Sequence, residues 1–181
     1  MSTFNRPVIL SGLCIAALSG SAFATQYLSV DEAQRVLFPD ANTFKPQPLD
    51  LTTEQMRQVE KLAGLQARSA QWRVVAAWRG ETLLGFVVLD DVVGKYELIS
   101  YAVAINPDAT VHQIEILTYR ESHGFEIRNP AWRKQFVGKS AQSGLTIGEG
   151  IANISGATLS SAHVTDGVRR IAAVAQVALK K

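Results

Sequence analysis

Cysteine is nearly absent from this chain of 181 residues, which contains a single one, Cys14. A lone cysteine forms no disulfide within the chain and supplies no cluster of thiolate ligands for zinc or an iron–sulfur centre. The C-x-x-C-H sequence that attaches haem is missing as well. The fold must therefore be held by its core, and hydrophobic residues make up 47% of the chain, enough to form one.

Histidine is also scarce, and His112, His123 and His163 show no metal-ligand spacing. The chain has no G-x-S-x-G nucleophile elbow. Its Gly-Lys-Ser at residues 138–140 is no phosphate loop, because Arg133 stands where the motif needs its first glycine. Charge of one sign is not in large excess either, with 18 Lys and Arg against 16 Asp and Glu. This balance gives no reason to expect a nucleic acid or an anionic membrane as partner.

The first 24 residues have the three-part pattern of a secretory signal peptide. One positive charge, Arg6, precedes a short apolar run at residues 7–20. Ala22 and Ala24 then form an A-x-A cleavage pattern. We therefore expect a cleaved signal peptide at residues 1–24 and a periplasmic protein.

The alternative is a retained membrane anchor, although a comfortable span needs about 20 apolar residues. Bulky Leu13 before Cys14 argues against lipoprotein processing, and cleavage would remove Cys14. The expected mature protein is one domain at residues 25–181, with its core at about 72–181 and no membrane span.

Hydrophobic periodicity predicts two helices at the start of this domain. The first begins at Ser29 or Asp31 and ends at Pro39. The second is capped at residues 52–53 and ends at Gly64. Between them the sequence predicts a connector that contains two prolines.

The period then changes to that of strands, and the fold class predicted is α+β. Short turns join four strands, which favours an antiparallel meander. The strands are expected at residues 72–80, 82–91, 96–108 and 110–120. A C-terminal helix at residues 160–179 follows a run of small residues and has one apolar stripe. The expected architecture is a small antiparallel sheet flanked by helices.

Two stretches concentrate groups that could do chemistry. The first, YRESHGFEIRNPAWRKQFVGK at residues 119–139, brings Arg120, Glu121 and His123 together directly after a strand. Binding residues collect on such loops, but a solvated connector with one Arg–Glu pair explains the pattern equally well. The second stretch, ISGATLSS at residues 154–161, precedes the last helix.

ISGATLSS has two interpretations. Thr158, Ser160 or Ser161 can cap the helix, while Gly156 supplies a turn with positive φ. The same groups can also form a phosphate site, because a helix start offers free backbone N–H groups beside these hydroxyls. A threonine hydroxyl in this place could also become a phosphoester.

The sequence SGAT, followed by LSS and a helix beginning AHVTDGVRR, resembles the FMN-binding domain family. That family includes the covalently flavinylated subunits of sodium-pumping NADH:quinone oxidoreductase and of the Rnf complex. There, a separate flavin transferase joins the phosphate of FMN to the threonine that closes SGAT, which is Thr158 here. The loop at residues 119–139 is similar to the segment before that motif, so the resemblance covers about residues 72–181.

The resemblance implies a cofactor site made of a motif segment and a loop segment. In the family, exposed arginine, glutamate and glycine residues of the loop approach the flavin. The matching residues here are Thr158, Ser155, Gly156, Ala157, Ser160 and Ser161 from the motif, and Arg120, Glu121, His123 and Gly124 from the loop. The sequence departs from the family at Ala152, where an aspartate of the transferase's recognition pattern usually stands.

The implied function is electron transfer by covalently bound FMN, in a carrier rather than a stand-alone enzyme. We expect Arg120 or His123 to stabilise negative charge on the reduced flavin. The expected partners are a flavin transferase and redox proteins that give and take electrons. A membrane cytochrome, a ferric-reductase-like membrane protein and a small periplasmic redox protein all fit.

Two other functions remain open at this point. A non-redox binding module of the same fold would have lost its flavin, and Ala152 favours that alternative. A hydrolase using His123 with Ser155 or Ser160 lacks a carboxylate at a recognisable spacing to orient the histidine.

Overall fold

The computed structural model describes residues 25–121 and 123–181 of the chain. The predicted signal peptide lies outside the described residues. Among the residues described, no helix combines the length and the apolar character that a membrane span requires.

One antiparallel sheet of seven strands lies at the centre of the fold. The strands are β1 (Thr25–Gln26), β2 (Thr43–Pro46), β3 (Leu49–Asp50), β4 (Gln71–Arg79), β5 (Thr82–Val93), β6 (Leu98–Ile105) and β7 (Val111–Tyr119). Their order is β1-β7-β6-β5-β4-β2, and β3 also pairs with β4. β4 to β7 form the predicted meander, because each pairs antiparallel with the next.

The connector between the first two helices is more ordered than the sequence predicted. β2 and β3 both lie within it, and both pair with β4 at the end of the sheet. Pro46 ends β2, and Pro48 follows outside the strand. Proline is tolerated here because an edge strand leaves one row of N–H groups unpaired.

Within the described residues, four α-helices accompany the sheet: α1 (Val30–Leu37), α2 (Thr53–Ala63), α3 (Pro130–Arg133) and α4 (Thr158–Ala178). The predicted caps of the first two are confirmed. The side chains of Ser29 and Thr52 each accept from a backbone N–H of the first turn and form capping boxes. Gly64, with φ of 64°, ends α2 in the left-handed conformation. The α+β class is confirmed.

The two faces of the sheet are covered by different helices. On one face, large side chains such as Phe86 and Val103 pack with α2 and α4 in the main core. On the other face, a smaller cluster that includes Ala102 and Ala104 packs against Leu37 of α1. Successive residues of a strand point to opposite faces, so neighbouring residues such as Ala102 and Val103 belong to different clusters. The small side chains of Ala102 and Ala104 leave room for α1 to lie close to the sheet.

The alternation in β7 is interrupted, which moves a histidine away from the expected face. Strict alternation along the strand would place His112 on the same face as Ile114 and Ile116. A register shift opposite Ala104 and Ile105 changes this, because the extra residue reverses the side-chain direction. Both isoleucines are buried, but the ring of His112 stacks on Phe38 at 5.1 Å between ring centroids.

α4 lies very close to the sheet at one point. A Cβ at Gly167 would overlap the hydroxyl of Tyr101. That hydroxyl donates to Oδ2 of Asp90 at 2.6 Å, and burial, with help from Asp90, raises the pKa of Tyr101 well above its usual range. Glycine at position 167 therefore allows α4 to lie directly against the neutral phenol of Tyr101.

Candidate functional site

A cavity of about 420 Å³ opens where the β5–β6 turn, the loop after β7 and the start of α4 meet. Its size is within the range of small-molecule sites. The residues that line it are Lys95, Tyr96, Glu121, His123, Gly156, Ala157, Thr158, Leu159 and Ser160. Polar groups of the loop and the helix start therefore converge on one opening.

The start of α4 differs from the predicted cap. The helix begins at Thr158, and Ala157 occupies the N-cap position. Thr158, Ser160 and Ser161 lie inside the first turn, so none of them can act as the N-cap. In the described part of the chain no side chain caps this helix. Its first N–H groups therefore keep hydrogen-bonding capacity for an acceptor in the cavity. Gly156 has the predicted positive φ, at 81°.

Thr158 presents its hydroxyl at the surface. Its side chain is exposed, and Oγ1 accepts a hydrogen bond from Nδ2 of Asn153 at 3.3 Å. Oδ1 of Asn153 in turn accepts from the hydroxyl of the buried Ser161 at 3.0 Å. Asn153 therefore links the exposed hydroxyl to the helix interior and limits the positions that Oγ1 can take.

Tyr119, the last residue of β7, joins the loop to the helix. Its hydroxyl donates to the backbone carbonyl of His123 and lies 3.2 Å from Oγ of the buried Ser160. Burial raises the pKa of Tyr119, although the hydrogen bond with Ser160 acts in the opposite direction. The phenol is thus protonated at neutral pH and can serve as the donor.

Gly124 allows the loop to approach the helix start. Its φ of 92° is in the left-handed region. A Cβ at this position would lie 2.5 Å from the Tyr119 hydroxyl and 2.6 Å from Cβ of Ala157. Both the backbone conformation and the close approach therefore require glycine.

Glu121 contacts the β5–β6 turn, and Arg120 contacts Leu98, the first residue after that turn. Oε1 of Glu121 accepts from the backbone N–H groups of Tyr96 at 2.6 Å and Glu97 at 3.0 Å. The guanidinium of Arg120 donates to the backbone carbonyl of Leu98 at 3.4 Å. These two side chains connect the loop to the turn that forms the opposite side of the cleft.

The structure brings most of the predicted site residues together. Those that line the cavity are Thr158, Gly156, Ala157, Ser160, Glu121 and His123. The other four do not line it: Ser161 is buried, Ser155 is exposed, Arg120 bonds to Leu98, and Gly124 packs against Tyr119 and Ala157. That each lining residue contacts a flavin stays a prediction.

Sequence reasoning missed Lys95, Tyr96 and Leu159, which also line the cavity. Lys95 and Tyr96 reach it only because β5 and β6 pair, and no local motif indicates this. Leu159 lies inside the motif segment but is an apolar residue with 46% of its surface exposed. A large apolar residue within an otherwise small and polar motif is the one sequence signal that could have indicated a wall residue.

The three histidines lie in different places. His112 is on the α1 face, His123 lines the cavity, and Nδ1 of His163 lies 2.6 Å from the carbonyl of Val93. Across residues 25–121 and 123–181, no group of three or more potential ligands is arranged to hold a metal ion.

Comparison with known proteins shows a similarity between this part of the chain and a known family. Residues 94–173 match the family model of the FMN-binding domain, and every residue that lines the cavity lies within the matched part. The predicted resemblance to FMN-binding domain proteins is confirmed, and the match supports FMN binding by this chain.

The fold is similar to that in the crystal structure of Shewanella oneidensis NqrC. The TM-score is 0.50 and the sequence identity 18%, over 76% of this chain and 80% of that chain. No match was found among the curated proteins compared with the chain.

Proposed function

We propose that this protein is an exported electron-transfer carrier that holds FMN through a phosphoester bond to Thr158. The observation that carries the proposal is the position of Thr158. Its exposed hydroxyl stands at the first residue of a helix without a side-chain cap, on the wall of a cavity of about 420 Å³. The family match supports FMN binding. The phosphoester bond to Thr158, the export and the electron transfer are proposed here in addition.

The residues of the cavity fit a phosphate. The N–H groups at the start of α4 and the positive end of its dipole favour an anion. Lys95 adds a positive charge on the same cavity, and Gly156 has no side chain to block a close approach. These groups would hold the phosphate of FMN beside Oγ1 of Thr158.

The remaining walls fit an aromatic ring system. Tyr96 and Leu159 expose 74% and 46% of their surfaces and offer apolar area within the same cavity. His123 also lines the cavity and is exposed, whereas the guanidinium of Arg120 is engaged by Leu98. Of the two residues expected to stabilise the reduced cofactor, His123 is therefore the better placed.

Attachment requires a flavin transferase and an activated flavin. An ester bond forms between Oγ1 of Thr158 and the phosphorus of the FMN unit. A phosphoanhydride bond of a flavin dinucleotide breaks, its nucleotide leaves with the bonding electron pair, and the hydroxyl proton passes to solvent. The product is heavier by one FMN minus one water.

When bound, the flavin would supply one- or two-electron chemistry. The chain's own residues would orient it and set its potential through the charges and donors around it. A membrane cytochrome, a ferric-reductase-like membrane protein or a small periplasmic redox protein would serve as donor or acceptor.

Co-expression with a flavin transferase, followed by mass spectrometry of the intact protein, tests the proposal. We expect the mass of one FMN minus water in the wild type and in Thr158→Ser, but not in Thr158→Ala. Thr43→Ala, on the distant edge strand β2, is the matched control and should gain the full mass. Attachment to Thr158→Ala would place the bond elsewhere.

A second candidate is a non-redox binding module of the same fold, and Ala152 is the observation that favours it. The backbone of Ala152 is fixed without an aspartate, because its N–H donates to Gln135 and its carbonyl accepts from Trp132, both at 2.8 Å. An unmodified wild type, beside a transferase proven active on another substrate protein, would favour this candidate.

A further inference from the structure

We propose that Glu121 is a positioning residue: it holds the β5–β6 turn, residues 94–97, as one wall of the flavin site, and Gly94 makes this possible. The resemblance implied instead that the glutamate approaches the flavin itself. The ligand in this inference rests on the proposed function, but the positioning geometry does not.

The turn is held from outside by one carboxylate. Oε1 of Glu121 accepts from two successive N–H groups, those of Tyr96 and Glu97, at 2.6 and 3.0 Å. Within the turn, the N–H of Gly94 donates to the carbonyl of Glu97 at 2.8 Å. Hydrogen bonds to an ionised acceptor are about twice as strong as neutral ones. A contact between residues far apart in sequence thus fixes the turn.

Gly94 is needed for space rather than for an unusual backbone conformation. A Cβ at this position would lie 2.6 Å from Oε1 of Glu121 and 3.1 Å from Cδ1 of Ile99. Ile99 is fully buried and cannot move aside. Any side chain at position 94 would therefore push the carboxylate off the two N–H groups.

Side-chain packing contributes little to the position of the turn. Lys95, Tyr96, Glu97 and Leu98 are all exposed. Backbone hydrogen bonds must therefore fix the turn, and two of them end on Glu121. Because Lys95 and Tyr96 line the same cavity as Thr158, the carboxylate decides whether that wall is formed.

The surroundings keep Glu121 ionised. Burial by itself raises the pKa of Glu121, but the N–H groups of Glu97, Tyr96 and Lys95 and the Lys95 charge outweigh it and lower the pKa below the usual 4.5. The other titratable or charged groups at the turn are Glu97 within it, Arg120 at Leu98, the Tyr119 phenol and His123 of the loop segment, and His163 of α4, whose Nδ1 lies 2.6 Å from the carbonyl of Val93. The hold is at full strength above pH 4.5 and weakens to that of a neutral acceptor as the pH falls through the lowered value.

The first arm of the test needs no flavin. Hydrogen exchange of the Tyr96 and Glu97 amides is measured by NMR on the full chain, in the wild type and variants. Glu121→Ala and Gly94→Ala should each raise exchange of these two amides about tenfold or more. Glu121→Gln should keep part of the protection, because its neutral amide oxygen still accepts, although more weakly than the carboxylate. Glu126→Ala, an exposed glutamate on the same loop, is the control and should change nothing.

A pH series separates positioning from general stability. In the wild type, protection of the Tyr96 and Glu97 amides should fall when the pH is lowered below 4.5, because Glu121 becomes protonated. In Glu121→Gln, which has no carboxylate at this position, the protection of the same amides should not change over this pH range. Unchanged protection in Glu121→Ala would overturn the positioning role. Equal loss of protection at core amides of β6 would overturn it too, because the change would then be global unfolding.

The second arm measures FMN attachment by mass after co-expression with the transferase. Glu121→Ala should lower the modified fraction at a fixed early time about fivefold or more, and Glu121→Gln should restore part of it. Full attachment in Glu121→Ala, despite lost amide protection, would overturn the assignment of the turn to the flavin site. Absence of attachment in the wild type would count against the proposed function, and the exchange arm would still decide the positioning role.

Discussion

The hydroxyl of Tyr119 lies 3.2 Å from Oγ of Ser160, so the last residue of β7 meets the third residue of α4. The same hydroxyl donates to the carbonyl of His123. One phenol therefore joins the sheet, the loop and the helix start around the cavity. The shape of the site thus depends on a contact between residues 41 positions apart.

Tyr119→Phe tests this contact. The change removes hydrogen bonds to Ser160 and His123 and leaves the buried Ser160 hydroxyl without this partner. We expect the free energy of unfolding to fall by about 1–2 kcal/mol in urea denaturation. Tyr96→Phe is the control. Tyr96 is 74% exposed, so removal of its hydroxyl should leave the free energy of unfolding almost unchanged. Equal stability of the two variants would contradict the role of the buried phenol.

Gly124→Ala should damage both the backbone and the packing. The positive φ alone costs about 1–3 kcal/mol, and the new Cβ would collide with Tyr119 and Ala157. Gly138→Ala is a matched control, because Gly138 has φ of 76° but nothing within 4 Å of an added Cβ. Thermal unfolding should show a larger loss for Gly124→Ala, and similar losses would mean that the close approach is unimportant.

Asn153→Ala should slow flavin attachment without preventing it. Asn153 donates to Oγ1 of Thr158, and one such hydrogen bond of about 1 kcal/mol corresponds to roughly a fivefold change in rate. A time course of mass gain with purified transferase measures the rate, and Gln142→Ala on the exposed loop serves as control. A rate equal to that of the wild type would exclude a role for Asn153 in orienting the hydroxyl.

Ala152→Asp should speed attachment and leave stability unchanged. The side chain of Ala152 is exposed, and its backbone bonds to Gln135 and Trp132 do not depend on it. If aspartate here belongs to the recognition pattern of the transferase, as the resemblance implies, the modified fraction at early times should rise. A lower fraction, with unchanged denaturation, would show that this transferase recognises the chain without aspartate.

Local patterns were sufficient to predict much of the fold. Periodicity and capping residues located α1, α2, α4 and the four-stranded meander, because each depends on neighbours within a few positions. β2 and β3 were missed, since Pro46 and Pro48 read as breaks and only pairing with β4 makes those segments strands. The direction of His112 was missed because a register shift depends on the partner strand.

The candidate site was predictable only where one segment supplies it. The motif at residues 154–161 correctly predicted that Thr158 lies at a helix start. The predicted cap by Thr158, Ser160 or Ser161 is wrong, because Ala157 occupies the N-cap position. Lys95 and Tyr96 could not be predicted, because they reach the cavity through pairing between β5 and β6. The role of Gly94 follows from a tertiary contact that its local sequence does not indicate.

The exposure of hydroxyls along the first turn of α4 has a consequence for maturation. Thr158 is exposed, whereas 3% of Ser160 and none of Ser161 is accessible. A modifying enzyme that meets the folded domain would therefore find one acceptor in this turn without melting the helix. The domain could fold first and be modified afterwards, with the choice among three neighbouring hydroxyls made by burial rather than by their chemistry.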